Sequence, residues 1–199
     1  LPRLASNGVD FANLWMGYAE QGVGFGFIQH TGGGSNMRAN SPYYLYYLFN
    51  TAFGDELVQS ASLDPDNVSV WASTSAESPD TLYVMVTNFD DEDISTELAL
   101  QNFTARSGEV YELLPDGDLG QNSESGEKDI YSTINGNKID LANLDASLAT
   151  IAPKQLSVNG SSLVHTFPKH SVSFMVLSGD EVVDPTDQPV EPTDIPVEP

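Results

Sequence analysis

Apolar residues follow two different rhythms along this chain. Up to residue 55 they come first as a run and then at helical spacing; from Leu57 onward they alternate. The run at residues 8–15, GVDFANLW, follows a polar Ser6-Asn7 turn and ends at Trp15. It reads as a buried parallel strand, and residues 1–7 as the end of a helix running into that turn. Residues 17–41 are glycine-rich and polar, which predicts a loop with a short extended piece at 24–29; connections of that length are uncommon unless they serve function. Ser41 then caps a helix over 42–53, with Pro42 at its first position. Tyr44, Leu45, Tyr47, Leu48 and Phe49 give it a broad apolar face, and Gly54 ends it. A parallel strand needs parallel neighbours on both sides. Only seven residues precede Gly8, so the strand–helix unit is expected to belong to a larger protein.

Beyond Leu57, strands are predicted at 68–74, 81–88, 94–100, 109–114, 163–167 and 171–178. Leu82 to Val86 is apolar on both faces, which marks a central strand. Turn signals separate the strands: Asp64-Pro65-Asp66-Asn67, Glu77-Ser78-Pro79-Asp80, Asp90 to Asp93 and Arg106-Ser107-Gly108. Short strands at this spacing predict an antiparallel β-sandwich. Residues 116–160 are less regular, with strands expected near 129–133 and 138–141 and a long excursion between. Residues 184–199, DPTDQPVEPTDIPVEP, repeat an acidic, proline-punctuated unit with no core-forming period. They read as an extended linker with a further module beyond it.

Charge narrows the partners. Among 199 residues there are 29 Asp and Glu against 7 Lys and Arg, a formal charge of −22. Such a field repels phosphate backbones and anionic lipid, which excludes nucleic acid and membrane surfaces as partners. Acidity serves solubility first; its spread, with lysine scarce, also fits a salt-adapted protein, where screening shortens self-repulsion. The chain contains no cysteine, so disulfides and thiolate metal sites are excluded. No stretch approaches the ~20 apolar residues that a spanning helix needs. The first residue is Leu1 rather than Met, in keeping with an internal cut.

The order of elements, together with GVDFANLW, the helix SPYYLYYLFNTAFGD, the strands DNVSVWAS and LYVMVTNF and the closing HSVSFMVL, resembles the C-terminal part of retaining glycoside hydrolases that carry an accessory β-sandwich on a catalytic (β/α)8 barrel. Family 44, the endoglucanases and xyloglucanases, is the most similar; the arabinofuranosidase-type families share the layout. The resemblance spans most of residues 1–178, with no counterpart for 116–160. It implies a mainly β fold class: an antiparallel sandwich at 57–180, preceded by the last strand–helix unit of a truncated barrel at 1–56 and followed by a linker at 181–199. It further implies that the acid/base and nucleophile glutamates, whose carboxyls retaining chemistry sets ~5 Å apart, lie upstream of Leu1. No residue here is then catalytic, and the chain alone should be inactive. The parent would be a secreted bacterial enzyme, marine or salt-adapted, acting on a polysaccharide such as a cellulose-like glucan or xyloglucan.

Trp15 ends the inferred barrel strand, on the face where barrel active sites are built. A sugar-stacking platform and a packing role under the following loop are equally open to it. Tyr18, Glu20 and His30 lie in the strand–helix loop, where such barrels place substrate contacts, although an individual polar loop residue more often meets solvent. Trp71, in mid-strand, suits the core or a domain interface, and His165 and His170 suit a surface or strand edge. The HTGGGS run at 30–35 lacks the GK[ST] ending of a phosphate loop, and no G-x-S-x-G elbow occurs. Three histidines without an i, i+4 pair make no zinc site. Asp64, Asp66 and Asp90 to Asp93 offer oxygen to calcium but lack the calcium-loop spacing, so no cofactor is expected. A second reading remains, that of a free-standing sandwich acting as a carbohydrate-binding or adhesive spacer module. It predicts that residues 1–53 pack fully onto the sandwich and that exposed aromatics line one sheet face.

Overall fold

A computed structural model describes residues 18–19, 26–30, 37–115 and 132–179. The expected strand at 8–15 and the linker at 181–199 lie outside the described residues. The six strands expected from alternation form, joined by short strands that the pattern did not predict. In chain order these are β4 (Glu56–Val58), β5 (Val68–Thr74), β6 (Thr81–Asn88), β7 (Ile94–Ala99), β8 (Ala105–Pro115), β9 (Ser132–Ile134), β10 (Lys154–Leu156), β11 (Ser162–Phe167) and β12 (Ser171–Gly179). Before them come β1 (Tyr18–Ala19), β2 (Ile28–His30), β3 (Met37–Ala39) and the helix α1 (Ser41–Ala52).

The main sheet has seven strands, running β10-β8-β12-β6-β5-β4, with β9 joining β8 further along the edge that β10 occupies. Every pairing in it is antiparallel. As expected from its two apolar faces, β6 lies in the interior, between β5 and β12. A two-stranded sheet, β11-β7, covers one face. Its Leu163 and Phe167 pack with Val68, Val84, Val86, Val110, Met175 and Leu177 in a mainly aliphatic core. The fold is thus mainly β.

The opposite face of the main sheet is covered by α1. Tyr44, Leu48 and Ala52, one turn apart, are its buried stripe and pack with Met85, Leu113, Ile134, Ile139, Ile151 and Phe174. Register explains why this face is rich in rings: Tyr111, Phe174, Met85 and Trp71 oppose one another on four successive strands. Trp71 is half-buried and packs against the same cluster. Phe174 meets Phe49 edge-on at 5.4 Å and Phe53 at 6.3 Å.

Several local expectations are corrected. Asn40, not Ser41, is the N-cap residue, and it makes no side-chain cap; the Ser41 hydroxyl instead lies 2.7 Å from that of Ser132. Gly54 does not close α1 in a left-handed turn, since the chain leaves through an extended Phe53 (φ −143°). Glycine is required there because a Cβ would stand 2.2 Å from the Thr74 carbonyl oxygen. Arg106-Ser107-Gly108 is no turn but the interior of β8. A Cβ at Gly108 would fall 2.9 Å from Leu177 and 3.0 Å from Val158, so that glycine answers close packing rather than reversal. Residues 138–141 are not a strand: Leu141–Asn143 is a 3-10 turn leading into the short helix α2 (Leu144–Leu148). The Asp140 side chain accepts from the Ala142 N–H and competes successfully with extension.

Candidate functional site

Of the four residues singled out from sequence, Trp15 and Glu20 lie outside the described residues. Tyr18 and His30 fall on adjacent strands of a three-stranded sheet, β1-β2-β3, in which β1 and β2 run parallel and β2 and β3 antiparallel. Tyr18 stands opposite Ile28, and His30 opposite Met37. The expected extended piece at 24–29 is realised slightly later, as β2. The base of this small sheet is tied to α1. Asn40 donates its backbone N–H to the Phe27 carbonyl and its Nδ2 to the Gly26 carbonyl, both at 2.9 Å, and the Phe27 ring meets Tyr46 edge-on at 4.9 Å.

A polar cluster that the sequence analysis missed lies between the two sheets of the sandwich. Glu112 of β8 is buried; its carboxylate accepts from Lys154 Nζ on β10 and lies 3.2 Å from His165 Nε2 on β11. The hydrogen bond from His165 holds the Glu112 carboxyl below the usual carboxylate range, aided by Lys154 and opposed by burial. His165 is therefore not a surface residue: its side chain is 16% exposed and rests edge-on against Phe167 at 4.9 Å. Period two could have found it, because Leu163, His165 and Phe167 share one face of β11. The same parity puts Glu112 with Val110 on the inner face of β8. Chemically the cluster is a clasp. Glu112 is wedged between two bases, whereas glycoside hydrolysis needs a second carboxylate across the scissile bond.

The acidic turns are occupied by their own chain. Asp64 accepts from Asn67 Nδ2, Asp90 Oδ1 from the Glu92 N–H, Asp93 Oδ1 from the Lys169 N–H, and Asp91 pairs with His170 Nε2 at 2.9 Å. Among the described residues, no group of three metal-ligating side chains occurs. Nor, among them, is any helix long and apolar enough to cross a membrane.

Fold and connectivity thus define a two-layer sandwich whose larger sheet carries a helix on its outer face. Solved structures are similar to the chain to different degrees. An arabinose-bound family 51 α-L-arabinofuranosidase matches at a TM-score of 0.52 and 12% identity, over 88% of this chain and 23% of its own. The α-L-arabinofuranosidase of Thermotoga maritima matches at 0.52 and 14%, over 77% and 32%. A family 44 xyloglucanase from Paenibacillus polymyxa is 21% identical over 70% of this chain and 23% of its own, at a TM-score of 0.44. The chain spans about a quarter to a third of the length of these structures. No protein-family model matches it, and no curated protein does.

Proposed function

We propose that this chain is part of a secreted, polysaccharide-degrading glycoside hydrolase of the retaining type, in which the sandwich braces the catalytic barrel. The observation that carries the proposal is the aromatic-rich core between α1 and the main sheet. It joins the sandwich to the helix that the sequence resemblance assigns to a barrel, with Phe49, Phe53 and Phe174 in mutual ring contact. The shared fold with arabinofuranosidase structures supports the same reading. A cellulose-like glucan or xyloglucan is the preferred substrate class, and both catalytic glutamates belong to the barrel. A salt-adapted bacterial source fits the charge of −22.

The test is hydrolysis of β-glucan, xyloglucan and arabinan by the full-length parent, with the anomeric configuration of the product followed by NMR. We expect cleavage with retention by the parent and none by the 199-residue chain. Hydrolysis by the 199-residue chain, or a parent without any glycosidase activity, would overturn the proposal. The spacer-module reading requires a row of exposed aromatics. The large apolar side chains exposed among the described residues are Met37 on β3, Val164 on β11, and Leu63 and Phe89 in loops, so a single one of them is aromatic. Nothing specific favours that reading.

A further inference from the structure

The irregular stretch between β9 and β10 has no counterpart in the resemblance, yet it is the part of the sandwich that reaches toward β1-β2-β3. Just ahead of it, at the first residue of β9, the Ser132 hydroxyl meets that of Ser41, the first residue of α1, at 2.7 Å. Further on, the Ile139 N–H donates to the Tyr44 hydroxyl at 2.9 Å, a buried bond across 95 residues of sequence. Ile134, Ile139 and Ile151 share one buried cluster with Ala39 of β3 and with Tyr44 and Leu48 of α1, and Leu141, Leu144 and Leu148 pack onto it. The stretch is stiffened from within. Ser147 Oγ donates to the Lys138 carbonyl and accepts the Asp140 N–H, and Asp140 caps the 3-10 turn. The joint it holds is costly: Asn40 is fully buried and its Oδ1 has no hydrogen-bond partner. A conformation with an orphaned acceptor persists only where its surroundings over-determine it.

We propose that residues 132–151 are a strut that fixes β2, β3 and the start of α1, with Ser132 and Tyr44 as positioning residues. Resting on the glycosidase reading, the strut sets how the segment after the last barrel strand meets polysaccharide. Barrel enzymes build their sites from such βα segments. The strut therefore acts on substrate affinity rather than on bond cleavage.

Tyr44→Phe and Ser132→Ala each remove one hydroxyl and little volume. Native-state hydrogen exchange on the 199-residue chain should show the amides of 28–30 and 37–40 exchanging about tenfold faster in each variant, the scale set by one lost buried hydrogen bond. The amides of β6 and β12 should stay as protected as in the wild type. In the full-length parent, the same variants should raise KM severalfold at unchanged kcat. Unchanged exchange at 28–30 and 37–40, with faster exchange confined to Ile139 and its neighbours, would overturn the strut. Should either variant unfold the chain, Leu141→Ala, at a half-buried position, provides the same readout. A parent that cleaves no polysaccharide defeats the glycosidase reading and the role in affinity, while exchange still decides whether the strut exists.

Discussion

The two faces of the seven-stranded sheet bury their residues in different ways. Toward β7 and β11 the filling is mainly aliphatic, with Phe103 and Phe167 the two buried phenyl rings, and polar groups close the layer: Asn88 donates to the Phe167 and Pro168 carbonyls, and Glu112 grips His165. Toward α1 the filling is aromatic, with Tyr44, Phe49, Phe53, Trp71, Tyr111 and Phe174 around Met85. There the polar links are few, among them the Ile139 N–H to the Tyr44 hydroxyl and the Gly54 N–H to Ser73 Oγ. The first face is fixed by register within one β-domain. The second is an interface between a helix and a sheet, where rings with one or two rotatable bonds cover much area at small entropic cost.

The sharpest way to break the comparison is to empty each face in turn. Phe167 and Phe174 are both fully buried, so Phe167→Ala and Phe174→Ala should each cost about 3–5 kcal/mol in denaturant unfolding. The site of the damage should differ. Phe174→Ala should speed hydrogen exchange in α1, whereas Phe167→Ala should loosen the β7–β11 ladder. If both variants loosen the same amides, the two cores are one cooperative layer and the distinction fails.

Glycines test the faces at finer grain. In Gly54→Ala the new methyl meets the Thr74 backbone carbonyl at 2.2 Å, and backbone must move. We expect a loss of about 2–3 kcal/mol. Gly108→Ala on the aliphatic face meets the ends of Leu177 and Val158 side chains, which can rotate. Its loss should be nearer ~1 kcal/mol by the same overpacking argument. The order of the two thermal midpoints decides the matter.

How much of this was legible in the sequence depends on how far each feature is set by its own segment. β5 and β6 are where alternation puts them, because each pairs along its whole length and tertiary context agrees with local pattern. β10 was missed because three residues carry no period; the Val110, Glu109 and Gly108 edge of β8 defines it. Ser41 looked like a cap because the residue type fits, but its hydroxyl is claimed by Ser132, 91 positions away. For the four site residues the fold decides nothing. Trp15 and Glu20 fall outside the described residues, and the placement of Tyr18 and His30 on β1 and β2 assigns them no chemistry. Glu112 was legible only in part: parity sets it with Val110 on the face opposite to Glu109, but it is the position of β11 over β8 that brings His165 to it.

The clasp predicts how the aliphatic face responds to acid. Glu112 has a lower pKa in the folded chain than in the unfolded one. Its contribution is therefore present above the ordinary carboxylate range and is lost as pH falls through the folded value. Because Lys154 is about half exposed, the contribution is modest, about 1–2 kcal/mol at neutral pH. Glu112→Gln should lower stability at pH 7 by that amount and flatten the acid limb of the stability curve below pH ~4.5, the ordinary value of the carboxyl. An acid limb as steep in the variant as in the wild type would place the titrating group elsewhere.

The smallest expected effect asks whether anything covers the back of the two-stranded sheet. Val164 sits on β11 opposite Glu97, points away from Leu163 and Phe167, and is 66% exposed. With the aliphatic core wholly on the other side of the strand, Val164→Thr keeps the β-branch and exchanges one methyl for a hydroxyl in water. Unfolding free energy should change by no more than about 0.5 kcal/mol. A loss above about 1 kcal/mol would mean that this outer face is itself buried in solution, by another copy or another part of the protein. The sheet pair would then be a middle layer, and the contrast between a closed aliphatic face and an aromatic interface would have to be drawn one layer further out.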